Sequence, residues 1–167
     1  MTFYLNSSKI GVDLNKTSST QAFSVGTLLR GNEGSLWQYV CADTTVSAYS
    51  VVVVNTSGSM HMAVLGDVNA GAGNFLAVAQ NAFAPGEYGW VPVHGGASTG
   101  GAMKVKVSAS VTLGTQLYLA TSSGNLSTTA AASATVKGIA LSTASAVAGV
   151  TVYACLLTWP KINTQGA

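Results

Sequence analysis

The amino-acid sequence predicts an all-β protein, a compact β-sandwich or barrel of about ten short strands preceded by an extended N-terminal arm. Segments rich in apolar and β-branched residues recur every 8 to 12 residues or so, separated by turn-forming residues that include many of the 19 glycines. In addition, no segment carries the capped 3.6-residue apolar period of a long helix.

Ten segments have strand character: 23–30, 36–42, 49–55, 60–65, 75–82, 88–94, 103–111, 117–121, 136–141 and 150–157. The run 51–54 is apolar throughout, which is typical of a strand buried on both faces or pressed against a partner. From residue 103 onward apolar and polar residues alternate, as in a strand with one face on the core. Pro92 cannot donate a ladder hydrogen bond, so its strand is expected at a sheet edge or broken there.

Polarity divides the chain into an arm, residues 1–20, a β-rich domain, residues 21–160, and a C-terminal tail, residues 161–167. The arm lacks sustained periodicity and is polar after its first few residues. It is either a disordered terminus or a segment that docks on a partner or a neighbouring subunit.

Charged residues make up only 7% of the chain, whereas about 25% is average for a soluble domain. The net charge of +2 and the scattered basic residues do not predict nucleic-acid binding. With so few charges, sizeable apolar surface patches are expected, and such patches usually mark interfaces. The composition therefore favours a protein that acts inside an oligomer or a larger assembly.

Hydropathy does not predict a membrane protein, although 48% of the residues are hydrophobic and the mean hydropathy is +0.40. A spanning helix needs about 20 consecutive apolar residues, and the longest comparable run here is 51–54. The N-terminal residues also lack the basic stretch and apolar core of a signal peptide. We expect a soluble protein without a membrane partner.

No pattern predicts catalysis, a cofactor or a metal site, so we do not expect an enzyme. Ser98 lies in a Gly-x-Ser-x-Gly match, but the strand that follows excludes the strand–turn–helix geometry of a nucleophile elbow. Asp67 begins a calcium-like Asp-x-Asn-x-Gly run, yet no acidic residue follows before Glu87, so a surface turn is expected. His61 and His94 are isolated.

The two cysteines and three tryptophans are expected to pack rather than react. Cys41 and Cys155 are interpreted as small buried residues, and a disulfide between them stays open. Trp37 and Trp90 fit core packing, with sugar stacking as the alternative, and Trp159 is the tryptophan most expected at the surface. The candidate partner-binding residues are Phe3, Tyr4, Leu5, Trp159 and Pro160.

Six segments follow one another in a characteristic order: 25–27, the strand around Trp37, 75–95, 111–128, 136–144 and the final strand up to Pro160. This order resembles that of bacteriophage capsid decoration proteins, also called cement or head-stabilisation proteins, and the resemblance covers residues 21–160. Its most specific parts are Gly-Glu-Tyr-Gly-Trp-Val at 86–91 and Gly-Ile-Ala-Leu at 138–141.

The resemblance implies a β-rich protomer that assembles as a homotrimer on the outer surface of the virion. It would bind the major capsid protein and clamp its subunits against the internal pressure of DNA. The family's pattern names no catalytic residue, and we expect no cofactor. Three alternatives stay open: a host-recognition or carbohydrate-binding module of a head or tail fibre, another virion part such as a tail-tube protein, and an enzyme.

Overall fold

The computed structural model describes residues 12–31, 34–64, 67, 74–95, 103–108, 111–120, 124–129, 134–142 and 151–164. This part of the chain contains eleven β-strands, and the fold is all-β, as the sequence predicts. In chain order they are β1 (Leu28–Arg30), β2 (Leu36–Ala42), β3 (Val51–Val54), β4 (Ser59–Met62), β5 (Phe75–Val78), β6 (Tyr88–Gly95), β7 (Met103–Val107), β8 (Leu117–Leu119), β9 (Leu126–Ser127), β10 (Ala134–Leu141) and β11 (Thr151–Thr164).

Strands β7 to β11 close into a barrel. Their hydrogen-bonded order is β10–β8–β9–β7–β11, and a further pairing of β10 with β11 completes the ring. The pairing of β7 with β9 is parallel, whereas the other pairs of the ring are antiparallel. β11 is 14 residues long and pairs with β10, β7 and β6, so it joins the barrel to the rest of the sheet.

Strands β1 to β6 form an outer sheet bonded to the barrel through β6. From the barrel outward the order is β11–β6–β2–β4–β3–β5, and β1 pairs with β2. One cluster of buried side chains joins the barrel interior to one face of this sheet, and a second lies on the opposite face. Val51 and Val53 belong to the first cluster, Val52 and Val54 to the second, so β3 is buried on both faces as predicted.

Pro92 lies inside β6, which is not an edge strand of the sheet, so the expectation of an edge strand is wrong. β6 has β2 on one side and β11 on the other. The missing N–H is tolerated for two reasons. The register of β2 shifts between Leu36 and Trp37, next to Pro92, and β11 pairs with β6 only at His94 and beyond.

The described part of the predicted arm packs against the outer sheet. Leu14 is completely buried in the first cluster, and Ser18 exchanges two backbone hydrogen bonds with Tyr88, at 3.0 and 2.8 Å. The residues before Val12 lie outside the described residues. At the other end, β11 continues to Thr164, so residues 161–164 of the predicted tail pair with β10. Within the described segments, no helix has the length and apolar character needed to cross a membrane.

Aromatic rings fix the segment before β1 onto the outer sheet. The Phe23 ring lies edge-on to Tyr39 and to Trp90, with centroid distances of 5.4 and 5.3 Å, and the Tyr39 and Trp90 centroids are 5.1 Å apart. The Tyr39 hydroxyl accepts a hydrogen bond from the backbone N–H of Ala22 at 3.0 Å. Such ring pairs stabilise a fold by about 0.5–1.5 kcal/mol in addition to the free energy gained by burying their apolar area.

Candidate functional site

The most unusual surface feature of the barrel is a bulge in β11 that carries Trp159. Lys137 pairs with Lys161 and Ile139 pairs with Leu157, so three residues of β11 lie opposite the single residue Gly138 of β10. Bulges of this kind bend a strand and redirect a side chain, and they are frequent beside functional sites. Here the bulge places the Trp159 side chain at the surface, where it is 51% exposed.

The backbone of Trp159 is strained, with φ at +52°. This left-handed region is uncommon for a residue with a Cβ and costs roughly 1–2 kcal/mol. Gly138 makes the bulge possible: a Cβ at that position would lie 2.7 Å from the carbonyl oxygen of Thr158 and 3.0 Å from that of Trp159. Strain that the surrounding structure imposes is concentrated at binding and catalytic sites in proteins, which makes Trp159 a candidate binding residue.

Two further apolar side chains of β11 are exposed on the same outer wall of the barrel. Val152 is 40% exposed and Leu156 is 37% exposed, whereas the alternate residues Tyr153 and Cys155 are buried in the core. The outward residues and Trp159 thus form an apolar stripe along one strand. From Val152 to Trp159 this stripe is roughly 20 Å long, at about 3.3 Å per strand residue and less in the bulge.

Lysines flank the stripe on both neighbouring strands. Lys106 of β7 lies opposite Val152, and Lys104 lies two residues before it on the same face. At the other end, Lys137 of β10 lies opposite Lys161. Paired residues of antiparallel strands project to the same face, with Cβ atoms about 5 Å apart. We call the three apolar side chains Val152, Leu156 and Trp159, together with these four lysines, the β11 face.

No carboxylate of the described residues lies within ion-pair distance of these lysines. The Lys137 ammonium donates a 2.7 Å hydrogen bond to the Gln116 side-chain oxygen, and the Lys104 ammonium lies 5.7 Å from the centroid of the Tyr49 ring. Both contacts orient a lysine without neutralising it. The β11 face therefore combines apolar groups with lysines that pair with no carboxylate of the described residues.

The uneven distribution of charge is visible in the order of the residues but not in the overall composition. All five acidic residues precede Tyr88, and four of the seven basic residues follow it. Residues 1–87 therefore carry a formal charge of −2 and residues 88–167 a charge of +4. The scattered appearance of the basic residues arises because the lysines lie on three strands, and only the fold brings those strands side by side.

A groove of about 240 Å³ adjoins the bulge. The loop before β8 forms one wall, including Val111 and Gln116, and β10 forms the other, including Gly138 and Ile139. It has the volume of one or two side chains, not of a substrate pocket of 300–1,000 Å³. The groove reaches the bulge at Gly138, and Trp159 is not among the residues that line it.

The structure places the two C-terminal candidates differently. Trp159 is half-exposed, as expected, but it lies within β11 and not after the final strand, and Pro160 is buried. The N-terminal candidates Phe3, Tyr4 and Leu5 lie outside the described residues. Exposure therefore makes Trp159 the one of the two C-terminal candidates that is available to a partner.

The other two tryptophans and Cys155 are buried, whereas Cys41 is only partly buried, so the expectation of two buried cysteines is confirmed for Cys155 alone. Trp37 and Trp90 are 1% and 2% exposed, so neither can stack on a sugar at the surface. Cys41 and Cys155 are both free thiols. Burial raises the pKa of the Cys155 thiol to about 12, which keeps it protonated and unreactive.

The isolated polar residues do not assemble a reactive centre in the described part of the chain. Asp67 accepts a 2.7 Å hydrogen bond from the backbone N–H of Val64 and lies 3.1 Å from the His61 ring, so it caps a turn. His94 pairs with Thr158 in the sheet. Among the described residues no group of three His, Cys, Asp or Glu side chains could hold a metal ion. Ser98 lies outside the described residues.

In the comparisons with known proteins, no protein-family model, no curated protein and no solved structure matches the chain. The chain is therefore classified by its own architecture, a closed all-β barrel with additional strands bonded outside it. Among the described residues, the β11 face combines backbone strain at Trp159 with exposed apolar side chains.

Proposed function

We propose that this chain is a bacteriophage virion protein that binds the outer surface of the capsid as a homotrimer. Its role is to stabilise the mature head by clamping subunits of the major capsid protein. The observation that carries the proposal is the half-exposed, strained Trp159 at the end of an apolar stripe. Tryptophan is the side chain most enriched among residues that dominate protein–protein binding energy.

The mechanism is thermodynamic. A protein that binds the expanded shell better than the unexpanded one stabilises the expanded state by mass action. Three linked copies of a weak contact bind with far greater avidity than one copy, because the second and third contacts form at a high effective concentration. The low charge content, 7% of the residues, suits close packing against such a lattice.

Light scattering over a range of dilutions tests the assembly state. A concentration-independent trimer, near three times 16.8 kDa, is expected. A monomer at every dilution would contradict the homotrimer in solution.

Co-sedimentation with expanded capsids of the phage whose genome encodes the chain tests the function itself. The protein is expected in the capsid pellet, and Trp159→Ala is expected to weaken binding at least tenfold. Leu28→Ala is the matched control, because Leu28 is also 51% exposed but lies on β1 in the outer sheet. Protein that remains in the supernatant, or that binds an array of host glycans instead, would overturn the proposal.

The contribution of Phe3, Tyr4 and Leu5 is tested by deleting residues 1–11. This deletion spares Leu14, which is completely buried, so the stability of the β-domain is expected to remain unchanged while capsid binding weakens. Deleting residues 1–20 is a poorer test, because it also removes the backbone hydrogen bonds between Ser18 and Tyr88. Unaltered capsid binding after the shorter deletion would exclude a docking role for these three residues.

A further inference from the structure

We infer that the β11 face recognises an acidic protein surface, in which carboxylates surround an exposed apolar side chain. This inference rests on the proposed function for the identity of the partner, which would be the outer face of the major capsid protein. It adds the chemistry of recognition, which neither the fold class nor the exposure of Trp159 supplies.

The positive charge of the β11 face favours an acidic partner. Lys104, Lys106, Lys137 and Lys161 lie on three adjacent strands, and residues 88–167 contain no Asp or Glu at all. Lys137 and Lys161 lie directly opposite each other, an arrangement of like charges that is destabilising unless something neutralises it, and Lys104 and Lys106 form a second pair at the other end of the stripe. In a chain whose net charge is only +2, four lysines on one face are a concentrated positive patch, which carboxylates of a partner would neutralise.

The apolar stripe favours a protein partner over other anionic partners. Phosphate backbones are bound by basic and polar groups, whereas the centre of a protein–protein interface is apolar and enriched in aromatic residues. Val152, Leu156 and Trp159 occupy the centre of the β11 face, and lysines lie on the neighbouring strands and beyond its end. An apolar core with a charged rim is the arrangement of a protein interface.

Binding to defined polymers tests this chemistry without a capsid. The probes are a random copolymer of glutamate and tyrosine, poly-L-glutamate, a single-stranded oligodeoxynucleotide and vesicles of anionic phospholipid. The glutamate–tyrosine copolymer is expected to bind tightest, poly-L-glutamate at least tenfold more weakly, and binding of both is expected to weaken as salt rises. Quenching of the exposed Trp159 indole by the copolymer supplies the signal.

Charge reversal locates the site. Lys106→Glu with Lys161→Glu is expected to reduce copolymer affinity at least tenfold, and the milder Lys106→Gln with Lys161→Gln by a smaller factor. The matched control is Lys16→Glu with Arg30→Glu, which changes the net charge equally at two exposed residues of the outer region and is expected to leave affinity unchanged. Equal loss in the two reversal pairs would overturn the inference in favour of non-specific charge attraction.

The remaining outcomes show which kind of ligand binds the β11 face. Tightest binding to the oligonucleotide or to the vesicles would overturn the inference in favour of a phosphate ligand. A trimer that dissociates on Lys106→Glu with Lys161→Glu would assign the face to a second copy of this chain. Capsid binding that survives this reversal overturns the inference and leaves the proposed function standing. Copolymer binding that needs the lysines, without capsid binding, supports the acidic-surface chemistry and removes the proposed function.

Discussion

In the described part of the chain, two residues other than glycine adopt a positive φ. One lies in the outer-sheet region and the other in the barrel, and their surroundings differ. Tyr49 has a φ of +65°. Its backbone N–H donates a 2.6 Å hydrogen bond to the carbonyl oxygen of Ala79, and its carbonyl oxygen accepts a 2.8 Å hydrogen bond from the backbone N–H of Lys106 in the barrel. Trp159, at φ +52°, lies on the barrel wall with half of its side chain in solvent.

The two residues differ in what compensates for the backbone strain. At Tyr49 two backbone hydrogen bonds, one to Ala79 of the outer region and one from Lys106 of the barrel, compensate for the strain, so the conformation is part of the fold. At Trp159 the strain brings an apolar side chain into water, which no contact of the monomer compensates in full. The strain at Tyr49 is therefore structural, whereas the strain at Trp159 supports the docking role proposed above.

The largest expected contrast is between two tryptophans. Trp90→Ala is expected to lower the free energy of unfolding by about 3–5 kcal/mol, because Trp90 is 2% exposed and packs on Phe23 and Tyr39. Trp159→Ala is expected to cost about 1 kcal/mol or less. Urea unfolding measures both. Since the first core cluster joins the two regions, each variant should unfold in a single transition, and separate transitions would show that the regions are independent.

Next in size is the effect of crowding at the bulge. Gly138→Ala is expected to cost about 3 kcal/mol, because its Cβ would meet the carbonyl oxygens of Thr158 and Trp159 at a positive φ of +80°. Gly114→Ala is the control, because Gly114 has a similar φ of +84° with no atom near its Cβ, and about 1 kcal/mol is expected there. Equal losses of unfolding free energy in the two variants would mean that the bulge moves to accommodate the added methyl group.

Alkaline pH is expected to destabilise the barrel through Cys155. Its pKa is raised from 9.0 to about 12 by burial, so above pH 9 the unfolded chain holds fewer protons than the folded one. Stability therefore falls as pH rises from about 9 to 12, by about 2 kcal/mol near pH 10.5. Cys155→Ala should lose this part of the pH dependence, and Cys41→Ala should keep it. Identical slopes in urea unfolding for both variants would exclude Cys155 as the cause.

The smallest expected effect has an unusual sign. Inside a strand, a protein with glycine is normally less stable than the same protein with alanine by about 0.5–1 kcal/mol. At position 159 the order should reverse, with Trp159→Gly more stable than Trp159→Ala by about 1 kcal/mol, because glycine adopts the positive φ without strain. Urea midpoints of the two variants measure this directly. The usual order would mean that the bulge changes its conformation once the indole is removed.

The sequence predicts the strands well because side-chain alternation is local. The apolar run 51–54 and the alternation after residue 103 are read directly from the chain, and both are found. Closure of the barrel is not predictable in this way. It depends on the pairing of β10 with β11 and on a register shift at Gly138, which follow from long-range contacts and not from residue order.

The candidate site is predictable only in part. The exposure of Trp159 was expected, but not the extension of β11 beyond it, because Pro160 suggests that a strand has ended. The absence of acidic residues after Glu87 is visible in the sequence. Its meaning depends on the fold, since only the pairing of β7, β10 and β11 brings the four lysines to one wall.

The position of β11 in the chain also has a consequence for biosynthesis. Its partners β6, β7 and β10 all precede it, so their edges stay open on the nascent chain until residues 151–164 leave the ribosome. At about 5–20 residues per second, the interval between the end of β10 and the end of β11 is roughly 1–5 seconds. During that time the open edges can pair with other nascent chains. Slow translation of this segment should therefore lower the yield of folded protein.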